Sequence, residues 1–154
     1  MQPLARILAA TSALLCSSPL FAEELTASAV KAFGARMTAA RERCESDAVV
    51  SRISPLATIS ATTFAVGEMR MSRMNKDQYR DQIAKRCAIG AQVRVAATNE
   101  KISIDGEQAV MTADVTETIA LDGREQSVKY RQRVTVELID GKLMYTQMLS
   151  NLVE

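Results

Sequence analysis

Three Asp-Gly pairs, Asp105-Gly106, Asp122-Gly123 and Asp140-Gly141, divide the last 64 residues into runs that alternate apolar and polar side chains. Asp-Gly supplies the positive backbone angles of a type I′ turn, whose twist suits a two-residue hairpin. The spacing predicts a four-strand antiparallel meander over about 91–104, 107–121, 124–139 and 142–153. Strands of this length exceed the usual five or six residues, and a long twisted sheet curls around something.

Two-residue turns pair Leu121 with Arg124 and Ile139 with Lys142. One face then collects Ala109, Met111, Ala113, Val115, Ile119 and Leu121, next Val128, Tyr130, Val134, Val136 and Leu138, and last Leu143, Tyr145, Leu149 and Val153. The other face carries Thr112, Asp114, Thr116, Lys129, Arg131, Arg133 and Glu137, with Asp114 opposite Arg131. In the first run Val93, Val95 and Ala97 have one parity, and Ile102 and Ile104 the other. A bulge near Thr98–Glu100 reconciles them and bends the sheet.

The first half reads as helices around a short strand pair. Leu25, Ala29, Phe33, Met37, Ala40 and Cys44 recur at helical spacing, so a helix beginning at Glu24 or Thr26 should end near Ser46-Asp47. Lys31, Arg36, Arg41 and Arg43 fall largely off that stripe and read as a solvated face. Gly34 costs helicity but permits close packing. Residues 48–55 are ambiguous, with a short second helix ending before Pro55 as one reading. Leu56 to Phe64 reads as a strand, turned by Val66-Gly67-Glu68 into a shorter one, Met69 to Arg73. Asn75 and Gln78 form a capping box. Tyr79, Ile83 and Cys87 (with Ala84 beside them) make the buried stripe of the helix it starts, and Gly90 stops that helix.

Residues 1–22 carry one charge, Arg6, then an apolar stretch, then Leu20-Phe21-Ala22 before two glutamates. That is the pattern of a secretory signal peptide, so residues 23–154 are expected to be a single domain, periplasmic or secreted. A membrane anchor fits less well because Thr11, Ser12, Ser17, Ser18 and Pro19 interrupt the apolar run. Cys16 follows Leu15, where lipoprotein processing would want a small residue. Cys44 and Cys87 remain, and in an oxidising compartment an even pair is most simply a disulfide; two buried thiols are the alternative.

Of 19 basic residues one, Arg6, lies in the leader, which leaves 18 against 18 acidic ones. That balance argues against electrostatic binding of nucleic acid and gives no strong pull to anionic lipid. Without histidine, Ser-His-Asp and Cys-His mechanisms and His-based metal sites are excluded. Met69, Met71 and Met74 form an MxMxxM pattern of the kind that can hold Cu(I), but lacking histidine or a nearby cysteine they read as core filler. No metal or cofactor is implied.

The order of elements, a long helix, a short strand pair, the helix led by MRMSRMNKDQY (Met69–Tyr79) and then a long meander, resembles the nuclear transport factor 2-like superfamily, also called SnoaL-like or ketosteroid-isomerase-like. The resemblance implies an α+β cone: a curved antiparallel sheet whose concave face is covered by N-terminal helices, often around an apolar pocket. It carries no invariant motif, and the fold hosts both enzymes and non-enzymes.

Glu117, Gln132 and Gln147 interrupt the apolar face, which also carries Tyr130 and Tyr145. A carboxylate aimed into an apolar pocket becomes a stronger base, and isomerases of this fold pair an acidic base with tyrosine donors, so Glu117 is the weak catalytic candidate. Its plainer reading is a wet sheet end near the hairpin tip. Gln132 and Gln147 read as bonding each other or backbone. Val115, Glu117, Tyr130, Gln132, Val134, Tyr145 and Gln147 are the expected ligand-pocket residues. Met144 and Met148 fall on the outer face beside Arg133 and Thr135, where methionine suits an adaptable interface, so a homodimer or a protein partner is expected there. The favoured function is a non-enzymatic binder of a small apolar ligand or a protein partner. The alternatives are a small isomerase or lyase using Glu117, and a periplasmic inhibitor or immunity protein.

Overall fold

The computed structural model describes residues 23–65 and 68–153; the expected signal peptide and the Val66-Gly67 turn lie outside them. Three helices, α1 (Ala27–Glu42), α2 (Ser46–Ser51) and α3 (Lys76–Ala88), accompany six strands. The strands are β1 (Ile53–Ala65), β2 (Glu68–Met74), β3 (Gln92–Asp105), β4 (Gln108–Leu121), β5 (Arg124–Ile139) and β6 (Lys142–Leu152). They form one sheet in the order β2-β1-β6-β5-β4-β3. The C-terminal meander is antiparallel as expected, but β1 joins it beside β6 in parallel, so the sheet is mixed. Among the described residues no helix is long and apolar enough to cross a bilayer.

The hairpins close where the turn chemistry puts them. Asp122-Gly123 and Asp140-Gly141 both take positive φ, and Leu121 pairs with Arg124 and Ile139 with Lys142. The first hairpin closes one residue later than its Asp-Gly pair suggests: Asp105 pairs with Gln108, and Gly106-Glu107 makes the turn. The bulge expected near Thr98–Glu100 lies there, with Asn99 at φ 54°.

A second bulge was not expected. Val136 pairs with Tyr145, but Thr135 pairs with Gln147, so Thr146 is the extra residue of β6. Because side chains alternate with period two, one inserted residue exchanges the faces of everything beyond it. Met148, expected outside, is buried in the core beside Val134 and Ile59. Leu149, expected inside, is half-buried opposite Arg133, and Val153 is exposed. Gln147 stands opposite Thr135, away from the face that holds Gln132, so the two glutamines do not meet.

Thr26 caps α1 by accepting from the Ala29 N–H, and Val30, Phe33, Met37 and Ala40 bury the helix against the sheet. Gly34 permits that approach, since a Cβ there would stand 3.0 Å from Met111 Cε. The helix ends earlier than its periodicity suggests. Cys44 takes φ 62°, its N–H and that of Glu45 return to the Arg41 and Ala40 carbonyls, and the chain re-enters helix at Ser46. This is a Schellman stop with cysteine at the left-handed position usually held by glycine. In α3 both capping-box hydrogen bonds are present at 2.9 Å, and Tyr79 and Ile83 are buried. Met74 packs on the core at the end of β2.

Cys44 and Cys87 form a disulfide with their Cα atoms 5.9 Å apart. Cys87 is half-buried and packs against the core, as the stripe of its helix implies, whereas Cys44 is exposed, so the bond staples the ends of α1 and α3 at the edge of the core.

Candidate functional site

Glu117 lies in β4 between Val95 and Val128, and only 4% of it is exposed. The expected wet sheet end is dry because two helix ends close over it. Arg41, from the last turn of α1, donates from Nη2 to Glu117 Oε2 at 2.9 Å. Arg86, from the last turn of α3, donates from Nη1 to Oε1 at 2.8 Å. The Tyr130 hydroxyl donates to Oε2 at 3.1 Å. The arginine side chains are only 16% and 19% exposed.

This is a buried cluster of two guanidiniums and one carboxylate, carrying one net positive charge. Burial pushes the Tyr130 hydroxyl up to about 12, so it stays a donor, with the Arg41 charge opposing that rise and the Glu117 charge adding to it. Burial works to lower the Arg41 pKa, but Tyr79, Glu117 and Tyr130 outweigh it, and the guanidinium titrates well above its ordinary range. Arg41 Nε is buried without a hydrogen-bond partner among the described residues.

The space beside the cluster is small. A void of about 20 Å³ lies among Arg41, Ser60, Tyr79, Gln132, Met148 and Ser150, room for about one water. The expected pocket residues divide among four places. Glu117, Tyr130 and Gln132 do come together around this void. Val134 and Tyr145 are core residues, with the Tyr145 ring 4.8 Å from Phe33 and its buried hydroxyl pushed to high pKa by desolvation. Val115 packs with Ala113, Val128 and Tyr130, and Gln147 lies on the other face.

A much larger opening lies on the outer side of Arg86. A cleft of about 910 Å³ runs between the end of α3 and the β4–β5 hairpin, within the range of small-molecule sites. Ile89, Ala91, Ile119 and Leu121 give it an apolar surface, and Lys85, Arg86, Asp122 and Arg124 stand around it. Gly90, at φ 76°, turns the chain from α3 into β3 between Ile89 and Ala91, which line one side of the cleft.

Sequence reasoning missed Arg41, Arg86 and the cleft. Arg41 follows Phe33 and Met37 at intervals of four, and Arg86 follows Ile83 by three. Both therefore fall on buried stripes, and a carboxylate on the inner sheet face needs such a partner.

No protein-family profile matches the sequence, and no curated protein sequence matches it. Solved structures do. The beta subunit of benzoate 1,2-dioxygenase from Burkholderia mallei superposes with a TM-score of 0.68 at 11% identity, covering 84% of this chain and 92% of that one. The CaMKII hub homology domain of Chlamydomonas reinhardtii gives 0.64 at 17% identity, covering 83% and 98%. An NTF2-like protein with a cystatin-like fold from Novosphingobium aromaticivorans gives 0.62 at 11% identity, covering 81% and 80%. The chain has the nuclear transport factor 2-like fold. Likeness at these identities establishes the fold and leaves the activity to be argued from the site.

Proposed function

We propose that this chain is an exported, non-enzymatic binding protein that holds a small ligand with an apolar body in the cleft between α3 and the β4–β5 hairpin. The observation that carries this reading is the contrast between the two spaces. The interior beside Glu117 has room for about one water, whereas the cleft offers about 910 Å³ and an apolar surface. An isomerase or lyase using Glu117 would need that carboxylate to face a substrate; Arg41, Arg86 and Tyr130 face it instead. Export is supported by the leader pattern of residues 1–22 and by the Cys44–Cys87 bond, which suits an oxidising compartment. Of the two methionines expected on the outer sheet face, Met148 is inside, while Met144 stays on that face opposite Glu137.

The test is binding of a neutral apolar fluorophore, N-phenyl-1-naphthylamine, to protein expressed from the full sequence. Saturable binding that Ile89→Glu and Leu121→Glu each weaken is the expected result. Absence of saturable binding, or binding indifferent to both substitutions, would overturn the reading.

A further inference from the structure

Resting on that reading, we infer that the ligand of the cleft is a single-chain amphiphile with an anionic head, of the long-chain carboxylate class. The charge around the cleft is lopsided. Lys85, Arg86 and Arg124 face one acid, Asp122, although the chain as a whole carries a net charge of only +1. Nearby cations on the same sheet are matched: Arg94 pairs with Glu125, and Arg131 with Asp114. Lys85 and Arg124, by contrast, make no ion pair among the described residues. Nor does Glu117 balance the cleft, since it already faces Arg41 as well as Arg86.

A basic last turn complements the C-terminal dipole of α3, and that alone would explain Lys85 and Arg86. It does not explain Arg124, which reaches the cleft from the opposite wall, beside the Gly123 turn. Cations on both walls place positive potential where low-dielectric surfaces concentrate it. The apolar side is equally specific. Ile89 is 61% exposed immediately before the Gly90 turn, and it shares the cleft with Ile119 and Leu121. An alkyl chain laid on these residues removes their apolar surface from water, while a carboxylate at its end meets the cations. A neutral ligand would leave Lys85 and Arg124 unanswered, and a purely ionic one would leave the isoleucines exposed.

The experiment compares decanoate with 1-decanol, its neutral counterpart, as displacers of N-phenyl-1-naphthylamine. Decanoate is expected to displace the probe at about 10-fold lower concentration at low salt, and Lys85→Glu combined with Arg124→Glu should bring the ratio to unity or below. Equal displacement by the two, or a ratio the double variant does not change, would overturn the anionic head and leave the apolar cleft standing. No saturable probe binding would overturn the cleft reading itself. Two further arms separate the sources of negative charge. Decyl phosphate displacing the probe while decanoate does not would overturn the carboxylate assignment. Co-sedimentation with phosphatidylglycerol vesicles without decanoate displacement would transfer the cations to a membrane surface and overturn the proposal.

Discussion

Replacing Glu117 with glutamine separates a structural strut from a reactive group by the sign of its effect. The amide keeps the shape of the side chain but removes the carboxylate that Arg41 and Arg86 share, their side chains being 16% and 19% exposed. Removing one partner from a buried ion pair costs about 3–5 kcal/mol, because the remaining charge is left uncompensated. The amide oxygen can retain one guanidinium contact, and Arg86 borders the open cleft, so about 3 kcal/mol is expected here. For a domain of this size that lowers Tm by roughly 10 °C. Urea unfolding measures it as a lower midpoint at unchanged slope. Glu125→Gln, which breaks the exposed Arg94–Glu125 pair on the same sheet, is the control and should cost less than about 1 kcal/mol. Adding Arg41→Met to Glu117→Gln should recover part of the loss, since the cycle then removes an unpaired buried charge. A carboxylate held unpaired for catalysis would behave in the opposite way, its removal raising stability as is common at active sites. A loss below about 1 kcal/mol, or a gain, would refute the strut argument.

Two further predictions concern the edges of the same assembly. The Cys44–Cys87 bond closes a segment with a sequence separation of 43, for which the chain-entropy argument gives about 4 kcal/mol; the double serine variant should lose a comparable amount in urea unfolding, and thiol titration of the unfolded parent should find neither cysteine free. At Glu23 burial works to raise the carboxyl pKa, but the Leu143 N–H, Arg52 and Arg36 outweigh it and hold the group below its ordinary 4.5. Its contribution to stability is therefore complete above about pH 5 and lost as pH falls through the depressed value, so Glu23→Gln should flatten the acid limb of a Tm-against-pH curve and leave the slope near neutrality unchanged.

The parts of the fold that were legible in the sequence are those set by local chemistry. Asp122-Gly123 and Asp140-Gly141 specify their turns through backbone conformations that few residues adopt, and Asn75 with Gln78 specifies a helix start through two reciprocal bonds. The bulge at Asn99 was legible because Val93 and Val95 conflict in parity with Ile102 and Ile104. The bulge at Thr146 was not, because Tyr145, Gln147 and Leu149 continue an acceptable alternation. What favours the shifted register is tertiary: it puts Met148 against Ile59 and Val134, a contact with a strand whose parallel pairing the meander pattern does not contain. The site was half legible for the same reason. Glu117 stood out as a charge on an apolar face, and its wet-end reading failed because helices from two distant segments cover it. Arg41 passed for a surface charge and Arg86 drew no reading, since most arginines on helices are solvated and only the position of Glu117 makes these two exceptions.

The disulfide and the buried charges belong to one arrangement. Cys44 follows Arg41 by three residues, and Cys87 follows Arg86 directly, so the bond that joins the helix ends also brings two guanidiniums to the same carboxylate. Two cations drawn together in a low-dielectric interior repel each other unless an anion lies between them, and β4 supplies Glu117 at that place. The bond limits how far the helix ends can separate, and the carboxylate removes the reason for them to do so. Arg86 is held on its inner side by Glu117 while it borders the cleft on the other. The same residue thus closes the interior of the cone and forms part of the wall of the opening outside it. That division explains how a fold whose concave face often encloses a ligand can here fill its interior and still present a binding-sized space beside α3.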